Sequence, residues 1–408
     1  MGFFVVNRRA GGLVFPSWFF AALCGVAPPC TAQSADSYSA AESGTSSSAT
    51  LQPYGIFDAG VRHVDKVSPA GAVTQFAAGL NTSRIGLRGF DGITPDLQGI
   101  FRLESGFNSG TGAAANSSAL FDRTADVGLR GRTFEFLAGR MEGFGYELAA
   151  SGITDPLSMA LNLPNYSSPA AAGSKAPVLG ANPLQAVYSY TYGQLRFNNA
   201  LRFSGEGQNW SAGAIYALGG VAGDSTADSV RAGHLGGHFG PAQLDAIVQQ
   251  SLDANSKRST LYVIAGSWSL PTWKLQAGFH QLRIDAGFDS ASLGNGASSS
   301  GILGNSTIVS PTLASPSENF RFQVADLGAS WTIAPGRLLT LAAYRTETQG
   351  AGDGGSLAVV ALGKWFLNPR IALYAEADHA NSSGQLAVKP VSGSQIANAF
   401  MTGINLHF

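Results

Sequence analysis

The sequence predicts an all-β fold: a 16-stranded antiparallel transmembrane β-barrel with short turns at one end and long loops at the other. Three observations carry that expectation. Charged residues make up only 12% of the 408 positions while apolar residues stand at 45% and glycine at 52, whereas a soluble domain carries about 25% charge and about 7% glycine. Apolar and polar side chains alternate with period two in segment after segment. The links between these segments are long and tight by turns.

The elements follow in chain order. Residues 1–32 read as a secretory signal peptide, since Arg8 and Arg9 precede a mostly apolar stretch, Gly11 to Ala27, that closes on Pro28, Pro29, Cys30, Thr31 and Ala32. A membrane anchor is the rival, but Pro16 interrupts the stretch and a spanning helix needs ~20 apolar residues. A lipoprotein site at Cys24 or Cys30 lacks the Leu-x-small pattern. Cleavage near Ala32 removes both cysteines, leaving no disulfide framework and no cysteine-based metal site. Residues 33–53 open with a Ser/Ala-rich run without apolar periodicity and are expected to form a flexible lead-in. The barrel is expected over 54–408.

Sixteen segments read as strands, near 54–65, 80–90, 96–108, 120–130, 133–140, 196–204, 209–218, 229–239, 242–251, 259–270, 272–284, 319–334, 336–347, 356–366, 370–380 and 396–408. Ile85 and Leu87 alternate with Arg84, Gly86 and Arg88; Phe101 and Leu103 with Arg102 and Glu104; Leu327, Ala329 and Trp331 with Asp326, Gly328 and Ser330. Successive strand side chains point to opposite faces, so each segment has one apolar and one polar face. The tight links carry turn formers, among them Thr94-Pro95-Asp96, Gly240-Pro241, Pro335-Gly336 and Asn368-Pro369. The long links are 66–79, 109–119, 141–195, 219–228, 252–258, 285–318, 348–355 and 381–395. An antiparallel meander places all of these at one end and the termini at the other. A barrel of this size leaves an aqueous lumen, so polar faces are wetted and apolar faces meet lipid. Closure pairs every backbone group, the condition for standing in hydrocarbon. A sandwich gives no reason for such segregation of loops, and a solenoid would show a fixed short repeat, which is absent.

Further runs stand out: Tyr54-Gly55-Ile56-Phe57-Asp58-Ala59-Gly60-Val61, Ser83-Arg84-Ile85-Gly86-Leu87-Arg88-Gly89 and Ile100-Phe101-Arg102-Leu103-Glu104-Ser105-Gly106-Phe107-Asn108. Leu120-Phe121-Asp122-Arg123, Val127-Gly128-Leu129, Leu137-Ala138-Gly139-Arg140 and Arg196-Phe197-Asn198-Asn199-Ala200-Leu201-Arg202-Phe203 follow, and the chain closes on Phe408. Together these segments resemble the general, non-specific outer-membrane porins of Gram-negative bacteria, in particular the trimeric β-proteobacterial kind. The resemblance implies that the third long loop, about 141–195, folds into the lumen and forms its constriction. It implies a basic wall of Arg84 and Arg123, with Arg140 at the root of the loop and Arg88 and Arg102 as further candidates. On the acidic side it implies Asp155, in an Asp-Pro pair, with Glu142 and Glu147 on the loop and Glu104 on the wall. Opposed charges across a narrow gap create a transverse field that orients dipolar solutes. The plain alternative for each is a solvated residue on a wet wall. Few loop acids against several arginines suggest a weak preference for anions. The resemblance further implies a homotrimer in the cell outer membrane, contact with outer-membrane lipid and lipopolysaccharide, delivery to the barrel assembly machinery through Phe408, and passage of small hydrophilic solutes and ions. There are departures: Gln52-Pro53 interrupts the opening strand, Asp126 stands where an aromatic is usual, and Arg123 shares parity with Val127 and Leu129, which a bulge would repair.

Other chemistries find little support. A net charge of −1 gives no basic footprint for nucleic acid. The six histidines are scattered; His234 and His238 share a strand face but sit roughly 13 Å apart, too far for one ordinary metal. Asp224-Ser225 has no Gly-x-Ser-x-Gly elbow around it, and no phosphate or dinucleotide loop is present. No catalytic residue, metal or cofactor is therefore expected. Two rivals stay open: a surface barrel that adheres through its Ser/Gly/Asn-rich link 285–318, and a soluble secreted β-protein such as a lectin. Trp268, Trp273, Trp331 and Trp365 lie near strand ends, as membrane-interface girdles or as packing between loops and wall.

Overall fold

The computed structural model describes residues 49–68, 71–115, 119–160, 184, 187–188, 196–289, 316–350, 353–384 and 396–408. The expected signal peptide, most of the lead-in, and 161–183 of the third long loop lie outside them.

The strands are β1 (Thr50–Ser68), β2 (Gly71–Ala77), β3 (Arg84–Thr94), β4 (Leu97–Gly106), β5 (Thr124–Arg130), β6 (Phe134–Glu142), β7 (Arg196–Glu206), β8 (Trp210–Ala217) and β9 (Val230–Phe239). They continue with β10 (Ala242–Leu252), β11 (Arg258–Ser269), β12 (Trp273–Ile284), β13 (Phe320–Ala334), β14 (Arg337–Gln349), β15 (Gly354–Asn368), β16 (Ile371–Gly384) and β17 (Ile396–His407). One short helix, α1 (Phe144–Ala150), follows β6. From β3 onward each strand pairs antiparallel with the next, as β3 with β4 and β16 with β17. The ring closes where β1 pairs with β17 over Ile56–Val64 and with β3 over Thr50–Ile56. Gly55 and Phe408 exchange both backbone hydrogen bonds at 3.1 Å, so the last residue clasps the first strand. The result is a closed 16-strand antiparallel barrel, with β2 as a short extra strand.

Two features differ from the expected elements. The link 66–79 contains β2, which pairs with the far end of β1. It is short, and it extends the sheet beside a β1 that already outruns its neighbours, which is why no separate barrel strand announced it. The strand β1 begins at Thr50, inside the expected lead-in, and runs through Pro53. That proline stands opposite Leu87 of β3, on a stretch that extends past the end of β17. An edge of this kind tolerates a residue that donates no ladder bond.

Burial separates the two faces. On β3 Arg84 is 2% exposed and its neighbour Ile85 55%; on β13 Asp326 is 6% and Leu327 64%. Residues with the parity of Ile85 and Leu327 form the apolar outer surface. Near the tight-turn end of that surface Trp273 and Trp331 are direct cross-strand partners, stacked with ring centroids 5.3 Å apart at 2°.

The inner face is not polar throughout. Leu261, Val263, Leu282, Phe320, Phe322, Val324, Val360 and Leu362 lie on inward positions of β11–β15 and are buried. They need apolar partners, and the inward-folded segment supplies them with Leu157, Met159, Leu184, Val187 and Tyr188.

Candidate functional site

The segment after β6 crosses the interior strand by strand. Its first aromatic, Phe144, fits over Gly213 of β8, where an added Cβ would lie 2.5 Å from Phe144 Cζ, and lies tilted against His234 of β9 with ring centroids 5.6 Å apart. Helix α1 is stopped at Ser151, whose N–H donates to Glu147 O. Next, Lys274 Nζ and Gln276 Nε2 of β12 donate to Gly152 O at 2.8 and 2.6 Å. Pro156 then nests against Gly328 of β13, where a Cβ would meet Pro156 Cβ at 2.2 Å. Finally Tyr344 Oη of β14 donates to Asp155 Oδ1 at 2.6 Å. Further along the same loop, Tyr188 Oη and His280 Nδ1 share a hydrogen bond at 3.0 Å, with His280 Nε2 2.8 Å from Asp326. The described residues 143–160 therefore line the inside of the barrel from β8 to β14.

The arc formed by β16, β17, β1, β3, β4 and β5, together with β6 and β7, carries the buried arginine–carboxylate pairs. Arg123 donates to Glu104 and, at 3.5 Å, to Glu142. Glu142 also receives Arg196, whose guanidinium lies 4.9 Å over the Tyr146 ring. Arg84 stands 3.9 Å from Glu104 and Arg102 3.0 Å from Asp126. On the other side Arg62 pairs with Glu376 at 3.0 Å and Asp378 at 2.5 Å. Asp58 accepts from the backbone N–H groups of Gly79, Leu80 and Asn81, from Tyr374 Oη and from Asn405 Nδ2. It ties the segment before β3 into the interior. Alternating neighbours of opposite sign on adjacent strands stabilise such a wall and hold long side chains in one geometry.

A model of the Gram-negative porin family matches residues 20–385. The chain belongs to that family. An outer-membrane porin protein of Bordetella pertussis is 39% identical over 95 residues, which span 20% of this porin and 25% of the relative's length. Among solved structures, an anion-selective porin from Comamonas acidovorans is 19% identical with TM-score 0.66, over 88% of this porin and all of that chain. OmpT of Vibrio cholerae in its trimer form is 11% identical with TM-score 0.59, over 88% of this porin and 100% of that chain. OmpF of Salmonella typhi in complex with daunomycin is 14% identical with TM-score 0.54, over 88% and 97%. Family and fold together place this porin in the Gram-negative outer membrane.

The sequence-named residues divide into three groups. Arg84, Arg102, Arg123, Glu104 and Glu142 come together on the wall, with Glu142 at the end of β6 rather than out on the loop. Arg123 precedes Thr124, the first residue of β5, so strand parity does not constrain it. Arg140 sits at a bulge: Gly139 pairs with Ala200 and Met141 with Phe197, leaving Arg140 opposite Asn198 and Asn199. Its guanidinium donates to Asp122 O and Asn198 Oδ1. Arg88 donates to Gln52 Oε1 at 2.8 Å, and Glu147 of α1 receives Arg202 at 2.5 Å. Asp155 stands apart. It is 0% exposed and its carboxylate accepts from Leu157 N, Met159 N and Tyr344, which makes it a clamp that pins the loop to β14. The expected opposition of Asp155 to the arginines is not what the geometry shows, because the loop backbone turns around that carboxylate. Sequence reasoning passed over Arg62, Arg196, Glu376, Asp378 and Asp58. Their parity with buried neighbours was legible, as in Asp58 and Arg62 on one face of β1; their convergence from β1 and β16 depends on closure.

Proposed function

We propose that the chain forms a water-filled channel for passive diffusion of small hydrophilic solutes and ions across the outer membrane, with no chemical step. The observation that carries this reading is the division of the interior. A loop segment is pinned along β8–β14, while the arc from β16 through β5 presents charged side chains toward it, inside a closed sheet whose outer face is apolar. Charge selectivity in a wide pore is set at its narrowest ring. Arg84, Arg88, Arg102, Arg123 and Arg140 supply the basic side of that ring, and Glu104, Glu142 and Glu147 the acidic side. The Comamonas relative is an anion-selective porin. Here carboxylates on adjacent strands offset Arg84, Arg102, Arg123 and Arg196, which supports only a weak preference for anions. Assembly as a homotrimer, contact with lipopolysaccharide and recognition of Phe408 by the barrel assembly machinery belong to the same proposal; the Vibrio neighbour in trimer form supports the first.

Recording from purified protein in a planar bilayer tests the reading. Stepwise openings, in threes for a trimer, are expected, with a reversal potential in a salt gradient displaced slightly toward anions. A silent bilayer removes the channel.

A further inference from the structure

The charged wall largely cancels itself. Arg62, Arg84, Arg102, Arg123 and Arg196 are met by Glu104, Asp126, Glu142, Glu376 and Asp378, five cations by five carboxylates. All five arginines are buried. Opposite charges held in contact leave a solute a short distance away with only the difference of two Coulomb attractions. Two further inward cations lack a carboxylate but are held by neutral acceptors, Arg88 by Gln52 Oε1 and Lys274 by Gly152 O of the loop, each at 2.8 Å. A cation that keeps all its donors for a passing solute must lie elsewhere.

Lys364 of β15 meets that condition. Its neighbour Trp365 is exposed on the outer belt, while Leu362, two residues back, is buried inside, so strand alternation turns Lys364 inward. Val360 and Leu362 are fully covered, whereas Lys364, the next inward position toward the tight-turn end, is half-buried. The apolar cover over β15 therefore ends at this residue. Among the described residues no hydrogen bond or ion pair engages its ammonium group.

The strands on either side of β15 each hold an inward-folded segment. Tyr344 of β14 donates to Asp155 of the loop. Tyr374 of β16, directly opposite Lys364, donates to Asp58, which gathers the backbone N–H groups of Gly79, Leu80 and Asn81. Asp58 and Asp155 are the acids that act on Lys364 electrostatically, which sets its ammonium group between the two clamps. Neither binds it, because backbone N–H and tyrosine O–H donors already occupy their carboxylates. A lysine is a point charge on a flexible stem with three donors, and here all three stay available to what passes through the space between loop and opposing segment.

We infer that Lys364 is a specificity-determining residue of the channel: its ammonium group is the contact at which small inorganic and carboxylate anions are favoured over cations, outside the self-neutralising arginine wall. The inference rests on the channel reading and adds to it a residue on β15, away from the arginine arc. The test is the zero-current reversal potential in a potassium chloride gradient, measured in planar bilayers on the wild type, Lys364→Arg, Lys364→Gln and Lys364→Glu. Arg345→Gln serves as control, since Arg345 is exposed on the outer face beside Glu347. Unit charges roughly 6 Å apart in water change local occupancy by about threefold. The anion-to-cation permeability ratio should therefore fall about threefold in Lys364→Gln and about tenfold in Lys364→Glu, and stay at the wild-type value in Lys364→Arg and Arg345→Gln. Heat-modifiable migration on a gel shows that each variant has folded; should Lys364→Glu fail to fold, the pair Gln and Arg still separates charge from packing. A ratio in Lys364→Gln equal to the wild type overturns the inference. So does an equal fall in Lys364→Arg, which would make the residue a packing element, or in Arg345→Gln, which would make the effect one of net charge. A silent wild type fails the channel reading itself, whereas a conducting wild type whose ratio ignores the charge at position 364 fails this inference alone.

Discussion

Replacing Gly328 by alanine puts a Cβ 2.2 Å from Pro156 Cβ and 2.5 Å from its Cγ. Carbon atoms in contact settle at about 3.5–4.0 Å, so Pro156 must retreat from the wall by about 1.3 Å. Its neighbour Asp155 moves with it. The bond from Tyr344 Oη, now 2.6 Å, then stretches beyond the ~3 Å range in which an O–H donor is effective. A hydrogen bond to a buried carboxylate is worth about 1.5–3 kcal/mol, so docking of the loop weakens by roughly ten- to a hundredfold. The wall blocks any retreat outward, so the segment shifts toward the axis. Single-channel conductance of Gly328→Ala should fall and its current noise rise, while heat-modifiable migration on a gel shows that the barrel itself has formed. Conductance and noise equal to the wild type would refute the argument that Gly328 seats the loop.

Further outcomes follow from the wall and the seam. Arg123→Gln leaves Glu104 and Glu142 without their shared cation, and the reversal potential in a salt gradient should move toward cations; Glu142→Gln should move it toward anions, and no displacement in either would retire the pair from selectivity. Arg62→Ala strands Glu376 and Asp378 and should destabilise the barrel by about 3–5 kcal/mol, read as a lowered denaturant midpoint for the heat-modifiable form. Gly55→Val would set a side chain where an added Cβ already lies 2.3 Å from Phe408 Cζ. The fraction of refolded protein that is heat-modifiable should drop, whereas Gly363→Ala, whose added Cβ would lie 3.8 Å from Ala375 O, should leave it nearly unchanged.

The fold was legible because one rule, period two, governs every barrel strand, and because turn residues such as Gly240-Pro241 and Asn368-Pro369 mark only one end. One thing escaped that rule. The inner positions Phe320, Phe322, Val324, Val360 and Leu362 are as apolar as the lipid-facing ones, and alternation alone does not say that a loop will cover them. The site was legible in its members and less so in its geometry. Arg84, Arg102 and Glu104 lie on clean strands, so parity aimed them inward. The positions of Arg123 and Arg140 depend on a strand start and on a bulge at Asn198-Asn199, both irregularities with no period. The role of Asp155 depends on Tyr344, a partner 189 residues away, which no local pattern can supply.

The parallel indoles of Trp273 and Trp331 have an optical consequence. Two identical chromophores 5.3 Å apart couple electronically, so the annealed contact between β12 and β13 absorbs and fluoresces differently from two separated indoles. A slip of one residue between those strands would send one ring into the lumen and extinguish the signal, giving an intrinsic, label-free clock for when that part of the ring has zipped in register.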